Sequence, residues 1–478
     1  MIKRANYSTW GDFMKKPNLL FIFADQWRRE AVGFMKKEPV ITPNLDTFSN
    51  EAAIFEKAYS SCPLCSPNRA TILTGKNPIS HGVITNCKPG LENIFLKESE
   101  VTIGDILKSN GYKTGYIGKW HLDEPEKKDD TLPLSGAENW DAFTPPGSKR
   151  HGFDFWYSYG ADDNHLSPHY WMDSPKMIKI DKWSVEHETD IALDFINRSK
   201  NDTFALFLSW NPPHTPLDLI PQKYVDMYKD VKIEKRENVV LEDIVDHPQT
   251  ITPFSLDEDT YLKSVKKYYA AITGIDEYFG KIINYLKMNN LFDNTIIIVT
   301  SDHGEMLCSH GLWSKHVWFE EAISVPFMLS HGDRYKGKKI TTPLSGVDIA
   351  PTILSLLDLN IPKEMEGVNL SPTLKGKKVD NIAISACYTG NSKVLNTLKE
   401  MGLDTLSYGW RAAIDEKYTY VYFNNYSGTD TPKEFLYNNI EDEYQLNSIH
   451  LTDKTKYLKE YLMAWGKKYN DPFVKISV

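Results

Sequence analysis

Nowhere in the 478 residues does an apolar run approach the roughly 18 that a membrane-spanning helix needs. The strongest runs, NLLFIFA (Asn18 to Ala24) and TIIIVT (Thr295 to Thr300), have the length of buried strands, so no membrane partner is expected. Cysteine is scarce. Five thiols, an odd number, make no disulfide framework and fit a reducing compartment. A cationic excess is also missing: 55 Lys and Arg stand against 64 Asp and Glu, a net charge of -9, which argues against a nucleic-acid partner. An anionic small substrate is still allowed, because a pocket needs only a few cations. There is no internal repeat and no low-complexity tract. MIKRANYSTWGDF has basic residues but no apolar stretch or small-residue cleavage site, so no secretory signal is visible and a cytoplasmic location is expected.

What remains is an ordinary globular composition, 41% hydrophobic and 25% charged, long enough for a large core. Strand-like runs alternate with helical stretches through the first three quarters, which predicts an α/β fold with a large, mostly parallel central sheet covered by helices. Strands are expected at NLLFIFADQ, TGYIGKWHL, TFALFLSW and TIIIVTS. Helices are expected over 44–52, 66–73, 101–109 and 256–288, the last with apolar residues at helical spacing. After Gly376, YGWRAAIDEKYTYVYF alternates like an antiparallel pair around Asp415-Glu416, which predicts a smaller C-terminal α+β unit. The expected organisation is a leader over 1–13, a catalytic domain over 14–376 and the C-terminal unit over 377–478. Residues 125–190 read as a long, ordered, aromatic-rich loop.

Four predicted strand ends finish in groups able to bind a metal or an oxyanion: Asp25-Gln26, Lys119-X-His121, His214 after a Pro-Pro turn, and Asp302-His303. In a parallel α/β sheet the C-terminal strand edges converge on one crevice, so these residues can meet there. Cys62 and Cys65 form a CxxC, but no second CxxC completes a zinc site and no thioredoxin-like context surrounds it. Cys65 opens a helical stretch, which would aim backbone amides at an anion. Cys87, Cys308 and Cys387 read as core or loop thiols.

Cys65-Ser66-Pro67-Asn68-Arg69, followed by Thr71-Ile72-Leu73-Thr74-Gly75, closely resembles the sulfatase signature Cys-X-Pro-X-Arg with its downstream Leu-Thr-Gly. In that family the cysteine becomes formylglycine. FADQWR, TPNLD, GYIGKWHL, NPPHTP, TSDHGEMLCSHGLWSKH, EEAISVPFML, VDIAPTILSLL and the C-terminal FLYNNIEDEYQLNSI are similar to further family blocks in order. The chain thus resembles the type I formylglycine-dependent sulfatases of the alkaline phosphatase superfamily, in particular members acting on glycosaminoglycans and other carbohydrates.

The resemblance implies a sulfuric ester hydrolase acting on an O-sulfate of a carbohydrate, a glycosaminoglycan or mucin-type glycan fragment. It implies Asp25, Gln26, Asp302 and His303 as metal ligands and Cys65 as nucleophile precursor. Arg69, Lys119, His121, His214 and Lys315 become substrate or nucleophile contacts. Implied partners are a sulfated saccharide and a formylglycine-generating or anaerobic sulfatase-maturing enzyme. Many sulfatases carry Asp-Asp and Asp-Asn where this chain has Asp25-Gln26 and Asp302-His303. Those pairings also look like phosphonate monoester and phosphodiester hydrolases of the same superfamily, which is the alternative enzymatic reading. An unmatured Cys65 would make the chain a non-catalytic glycan binder. Oxygen donors favour Ca²⁺, with Mn²⁺ or Mg²⁺ also compatible, whereas the imidazole suits Mn²⁺ or Zn²⁺. Within the 125–190 stretch, Asp163, Asn164, His165 and His169 are candidates to meet sugar hydroxyls, and Trp156, Tyr159 or Trp171 either stack on a ring or form an aromatic mini-core under the loop. His310 is expected at the rim as a leaving-group contact.

Overall fold

NLLFIFAD forms the strand Asn18–Asp25 near the middle of an eight-stranded sheet. The strands lie in the order Lys339–Ile340, Ala53–Phe55, Met328–His331, Thr295–Ser301, Asn18–Asp25, Phe204–Pro213, Lys113–Lys119 and Phe155–Tyr159. Those from Thr295–Ser301 to Phe155–Tyr159 are mutually parallel, and Met328–His331 runs antiparallel beside them. The computed structural model describes residues 16–91, 93–126, 135–246, 252–390, 392–424 and 431–475. The expected leader over 1–13 lies outside these residues.

Alternate side chains of the central strands enter two different cores. Leu20, Ile22 and Ala24 pack with the helix Glu258–Met288 and the helix Ser184–Ser199, while Leu19, Phe21 and Phe23 face the helices Cys65–Thr74 and Gly346–Leu356. Burial on both faces is why the strand sequence is continuously apolar rather than alternating. Glu258–Met288 begins at Asp257, whose carboxylate accepts the Thr260 N–H, and follows the expected helix to within two residues. No helix among the described residues is long and apolar enough to cross a membrane.

Residues 125–190 do not form the long loop expected of them. Phe155–Tyr159 adds to the sheet edge, and the 16-residue helix Ser184–Ser199 starts within the segment, burying Val185, Ala192, Phe195 and Ile196. Trp156, Tyr159 and Trp171 are therefore core residues, at most 3% exposed, and are not placed to stack on a ligand. The aromatic density that suggested a recognition surface belongs to an edge strand packed on both sides.

The C-terminal sheet is antiparallel and four-stranded, in the order Ala383–Cys387, Gly409–Ile414, Tyr418–Asn424, Lys433–Asn438. Asp415 turns the chain between the second and third strands by accepting the N–H groups of Lys417 and Tyr418. The helix Lys456–Lys468 covers one face. The other face presses on Tyr59, Cys62, Leu64 and Ile323, the segment leading into Cys65. Cys62 thus serves packing rather than metal or redox chemistry, and all five thiols are free and buried.

Candidate active site

Cys65 is the first residue of the helix Cys65–Thr74, every residue of which is buried. Gly75 ends the helix at φ +63, a left-handed geometry where a Cβ would meet Met365 at 3.0 Å. The buried polar side chains of the helix are individually satisfied. Ser66 Oγ accepts the Cys87 N–H at 3.0 Å, and Thr71 Oγ1 lies 3.0 Å from His81 Nε2. Asn68 accepts from the Ser61 N–H at 3.0 Å and donates to the Asp302 carbonyl at 2.5 Å. It ties the nucleophile helix to the end of the strand Thr295–Ser301.

The C-terminal ends of three strands converge on Cys65. Ligand atoms of Asp25, Cys65, Asp302 and His303 all lie within 4.8 Å of one another, and all four residues are buried. Cys65 Sγ is 3.3 Å from His303 Nε2 and 3.7 Å from Asp25 Oδ1. His303 donates Nδ1–H to the Gly304 carbonyl at 3.0 Å, which leaves Nε2 as the ligand atom. Gln26, at φ +69, donates its Nε2–H to Glu305 and presents Oε1 to Lys315 Nζ. Burial pushes the Glu305 carboxyl up to about 8.

Arg69, expected as a substrate or nucleophile contact, is buried in the floor of the site. Its Nε binds Asp302 Oδ2 at 2.9 Å, Nη2 binds Asp25 Oδ2 at 3.1 Å, and Nη1 binds the Lys119 carbonyl and Ser209 Oγ at 2.9 and 2.7 Å. With four of its five N–H groups engaged by protein, it braces the two carboxylates. Lys119 Nζ lies 2.8 Å from Asp25 Oδ2 and 3.0 Å from Asn211 Oδ1. Lys315 Nζ is 3.2 Å from His214 Nε2. Burial opposes ionisation of Asp25, but Lys119, His214, Arg69 and His303 together hold its carboxyl well below the usual range. Burial and Asp25 oppose the Cys65 thiolate, yet Lys315, Lys119 and His303 prevail and hold the thiol well below its ordinary value. Burial and the neighbouring Asp25 carboxylate push Asp302 up. Two close carboxylates, an imidazole nitrogen and an amide oxygen form a donor set that a divalent cation fits.

A cavity of about 1560 Å³ opens above this floor and is lined by Cys65, Lys119, His121, His214 and Lys315. His121 bonds the Cys87 carbonyl through Nε2 at 3.2 Å, and its buried Nδ1 has no hydrogen-bond partner among the described residues. Asn164 and His169 line the cavity, His169 being held by Asp141 at 2.6 Å. Asp163 also lines it, but its carboxylate lies 3.3 Å from His214 Nδ1 and 3.0 Å from Asn211 Nδ2. His165 is buried beneath the loop. Its Nε2 donates to the His214 carbonyl at 2.8 Å, and burial pushes it down to about 4. His310 does not line the cavity: it stacks on Phe319 at 3.7 Å and bonds the Tyr444 carbonyl. The sequence reading missed Asn211, Glu305 and Trp140. The first two sit inside the NPPHTP and DHGE stretches, whereas a lone Trp in a polar stretch carries no signal of exposure.

The Sulfatase family profile matches residues 17–359, and that of the N-sulphoglucosamine sulphohydrolase C-terminal region matches residues 308–461. An endo-4-O-sulfatase of Bacteroides thetaiotaomicron is 31% identical, the match covering 96% of this chain and 93% of the relative. An ulvan-active sulfatase of Formosa agariphila is 32% identical over 91% of this chain and 77% of its own. A Bacteroides thetaiotaomicron structure, solved in work on the metabolism of multiple glycosaminoglycans, superposes with a TM-score of 0.82 at 31% identity, covering 96% of this chain and 98% of the other. Formylglycine and a bound metal are general features of the family whose profile spans these site residues. The Cys65 helix braced against two strand ends that carry clustered carboxylates, on a sheet of this topology and with matches of this extent, leaves one assignment: the chain belongs to the sulfatase family of sulfuric ester hydrolases.

Proposed function

We propose that the protein hydrolyses an O-sulfate ester carried by a carbohydrate, with formylglycine at position 65 and Ca²⁺ held by Asp25, Gln26, Asp302 and His303. The carrying observation is the buried convergence of Asp25, Cys65, Asp302 and His303 beneath a large cavity. The carbohydrate half draws support from that cavity's size and from relatives named for endo-4-O-sulfatase and ulvan-active sulfatase activity. Oxygen donors from two carboxylates and one amide favour Ca²⁺ over softer cations, with Mn²⁺ or Mg²⁺ as substitutes. When bound, the cation would withdraw charge from a sulfate oxygen and favour the deprotonated nucleophile. Cys65 Sγ occupies the position of the oxygen that the mature residue carries, and the hydrated aldehyde supplies one hydroxyl to attack sulfur and a second to release sulfate.

The chain's own groups follow from their geometry. Lys119 and Lys315 flank position 65 and grip sulfate oxygens as charge builds on them. His121 lines the cavity, and its Nδ1, unpartnered among the described residues, is the ring atom left to meet an oxygen of the substrate or of position 65. His214 Nδ1–H is tied to the Thr215 carbonyl at 2.6 Å and Nε2 faces Lys315 Nζ at 3.2 Å, so the proton for the departing alcohol comes from this His214–Lys315 pair. Asp163 lies 3.3 Å from the same Nδ1 and helps fix the orientation of the ring. Because Cys65 is buried in the folded chain, a formylglycine-generating or anaerobic sulfatase-maturing enzyme acts before folding closes the site.

The test is to express the chain with a maturase, analyse the Cys65 peptide by mass spectrometry, and compare sulfated saccharides with 4-nitrophenyl sulfate and a phenylphosphonate ester. An aldehyde-bearing peptide and faster turnover of a sulfated saccharide are expected. Full activity with only unmodified cysteine would overturn the nucleophile, and faster turnover of the phosphonate would favour that chemistry instead.

A further inference from the structure

One wall of the cavity is unexplained by the sulfate chemistry. Trp140 is 41% exposed, lines the cavity, and has its ring centroid 6.1 Å from that of His121. Exposed tryptophan is costly to leave in water, and an indole beside a catalytic imidazole offers an apolar face where a leaving group must lie. Lys88 also lines the cavity, with Nζ 5.8 Å from the Trp140 ring centroid. Among the described residues no carboxylate pairs with Lys88, although Glu138 lines the same cavity. Partial burial lowers the Lys88 pKa, as expected of an ammonium without a counter-ion.

This wall is joined directly to the nucleophile helix. Asn86 Oδ1 accepts the Ser66 N–H at 3.1 Å, the Cys87 N–H donates to Ser66 Oγ at 3.0 Å, and the Cys87 carbonyl holds His121. Lys88 follows at once in the chain, so its position is set from the residue next to Cys65.

We propose that Trp140 and Lys88 form a leaving-group subsite for a sugar ring that bears a second anionic group. The ring lays an apolar face on Trp140, and the anion pairs with Lys88. A uronate carboxylate and a second sulfate share the required chemistry. The inference rests on the carbohydrate reading above and narrows it to polyanionic saccharides.

The matured holoenzyme, Trp140→Ala and Lys88→Gln are assayed on 4-nitrophenyl sulfate and on three monosulfated disaccharide scaffolds: neutral, with a uronate, and with a second sulfate. The wild type is expected to prefer an acidic scaffold over the neutral one by about tenfold in kcat/KM, through KM, the scale of one charge-assisted hydrogen bond. Lys88→Gln erases that preference, and whichever acid loses it identifies the source of the anion. Trp140→Ala lowers kcat/KM for every disaccharide by about tenfold more than for the aryl ester, the scale of a lost aromatic contact and its buried area. An acid preference that survives in Lys88→Gln, no preference in the wild type, or an equal fall on aryl and sugar esters in Trp140→Ala overturns the subsite. A wild type that turns over the aryl ester but no saccharide overturns the carbohydrate reading itself, which separates the two failures.

Discussion

The floor and the mouth of the cavity are built in opposite ways. At the floor, Asp25, Cys65, Arg69, Lys119, Asp302 and His303 are buried side chains from strand ends and one helix, and each answers to several of the others. At the mouth, Trp140, Asp163 and Asn164 are exposed and come from connections between elements. The floor's geometry is over-determined by charge pairing in a desolvated space, so a change there propagates. The mouth is held by few contacts and can differ without disturbing the sheet. Chemistry and specificity are thus carried by regions with different mechanical support.

The sharpest way to break this contrast is at the nucleophile. Cys65→Ala should remove turnover by on the order of 10⁴-fold or more on every ester, with little change in thermal midpoint because Ala is a good helix former. A variant that still turned over the aryl ester at a tenth of the wild-type rate would contradict the nucleophile assignment.

Asp302→Ala comes next, because it harms both structure and chemistry. It removes one donor of the proposed cation site and leaves Arg69 Nε without its carboxylate, at a cost of about 3–5 kcal/mol for a broken buried pair. Metal content by elemental analysis should fall to background, and urea denaturation should report the lost stability. Full metal occupancy would show that the ligand set is wrong.

Support beneath the floor gives a smaller, pH-dependent effect. Burial, with Lys76 nearby, pushes the His81 imidazole down to about 3, and the Val83 N–H donates to its Nδ1 at 3.1 Å. The folded pKa is depressed below the unfolded value, so this contribution is full above about 6.5. It falls by about 1.4 kcal/mol per pH unit from there toward 3, as the unfolded chain alone takes up the proton. Denaturation midpoints at pH 7 and 4.5 should diverge less in His81→Gln than in the wild type.

The mouth should yield the mildest change and the most selective one. Asn164→Ala, at an exposed cavity residue, should lower kcat/KM for a sulfated saccharide several-fold more than for 4-nitrophenyl sulfate, the scale of one neutral hydrogen bond of about 1 kcal/mol. Equal losses on both substrates would erase the distinction between floor and mouth.

The strands and the floor were legible early because their signals are local. A strand covered on both faces must be apolar throughout, so NLLFIFAD and TIIIVTS declare themselves, and the polar residues that end them fall at one sheet edge. Roles depending on distant partners were not legible. Phe155–Tyr159 looked like part of a recognition loop because nothing local tells that Gly115 to Lys119 will pair with it and bury Trp156. The same holds for His165 and Asp163, which look like sugar ligands until the fold brings His214 between them.

By itself the sequence determined the α/β class, the strand order of the motif-bearing segments along the chain, and the chemistry available at Cys65. The first two follow from apolar period and turn residues, and the third from the resemblance of the Cys65 motif, all properties of neighbouring residues. Only the tertiary structure decided that Arg69 spends its donors on Asp25 and Asp302, that Asn68 ties the nucleophile helix to Asp302, and that Trp140 reaches the cavity while Trp156, Tyr159 and Trp171 are buried in the core. Exposure and charge pairing are set by what packs alongside, and in this chain those partners come from tens to hundreds of residues away.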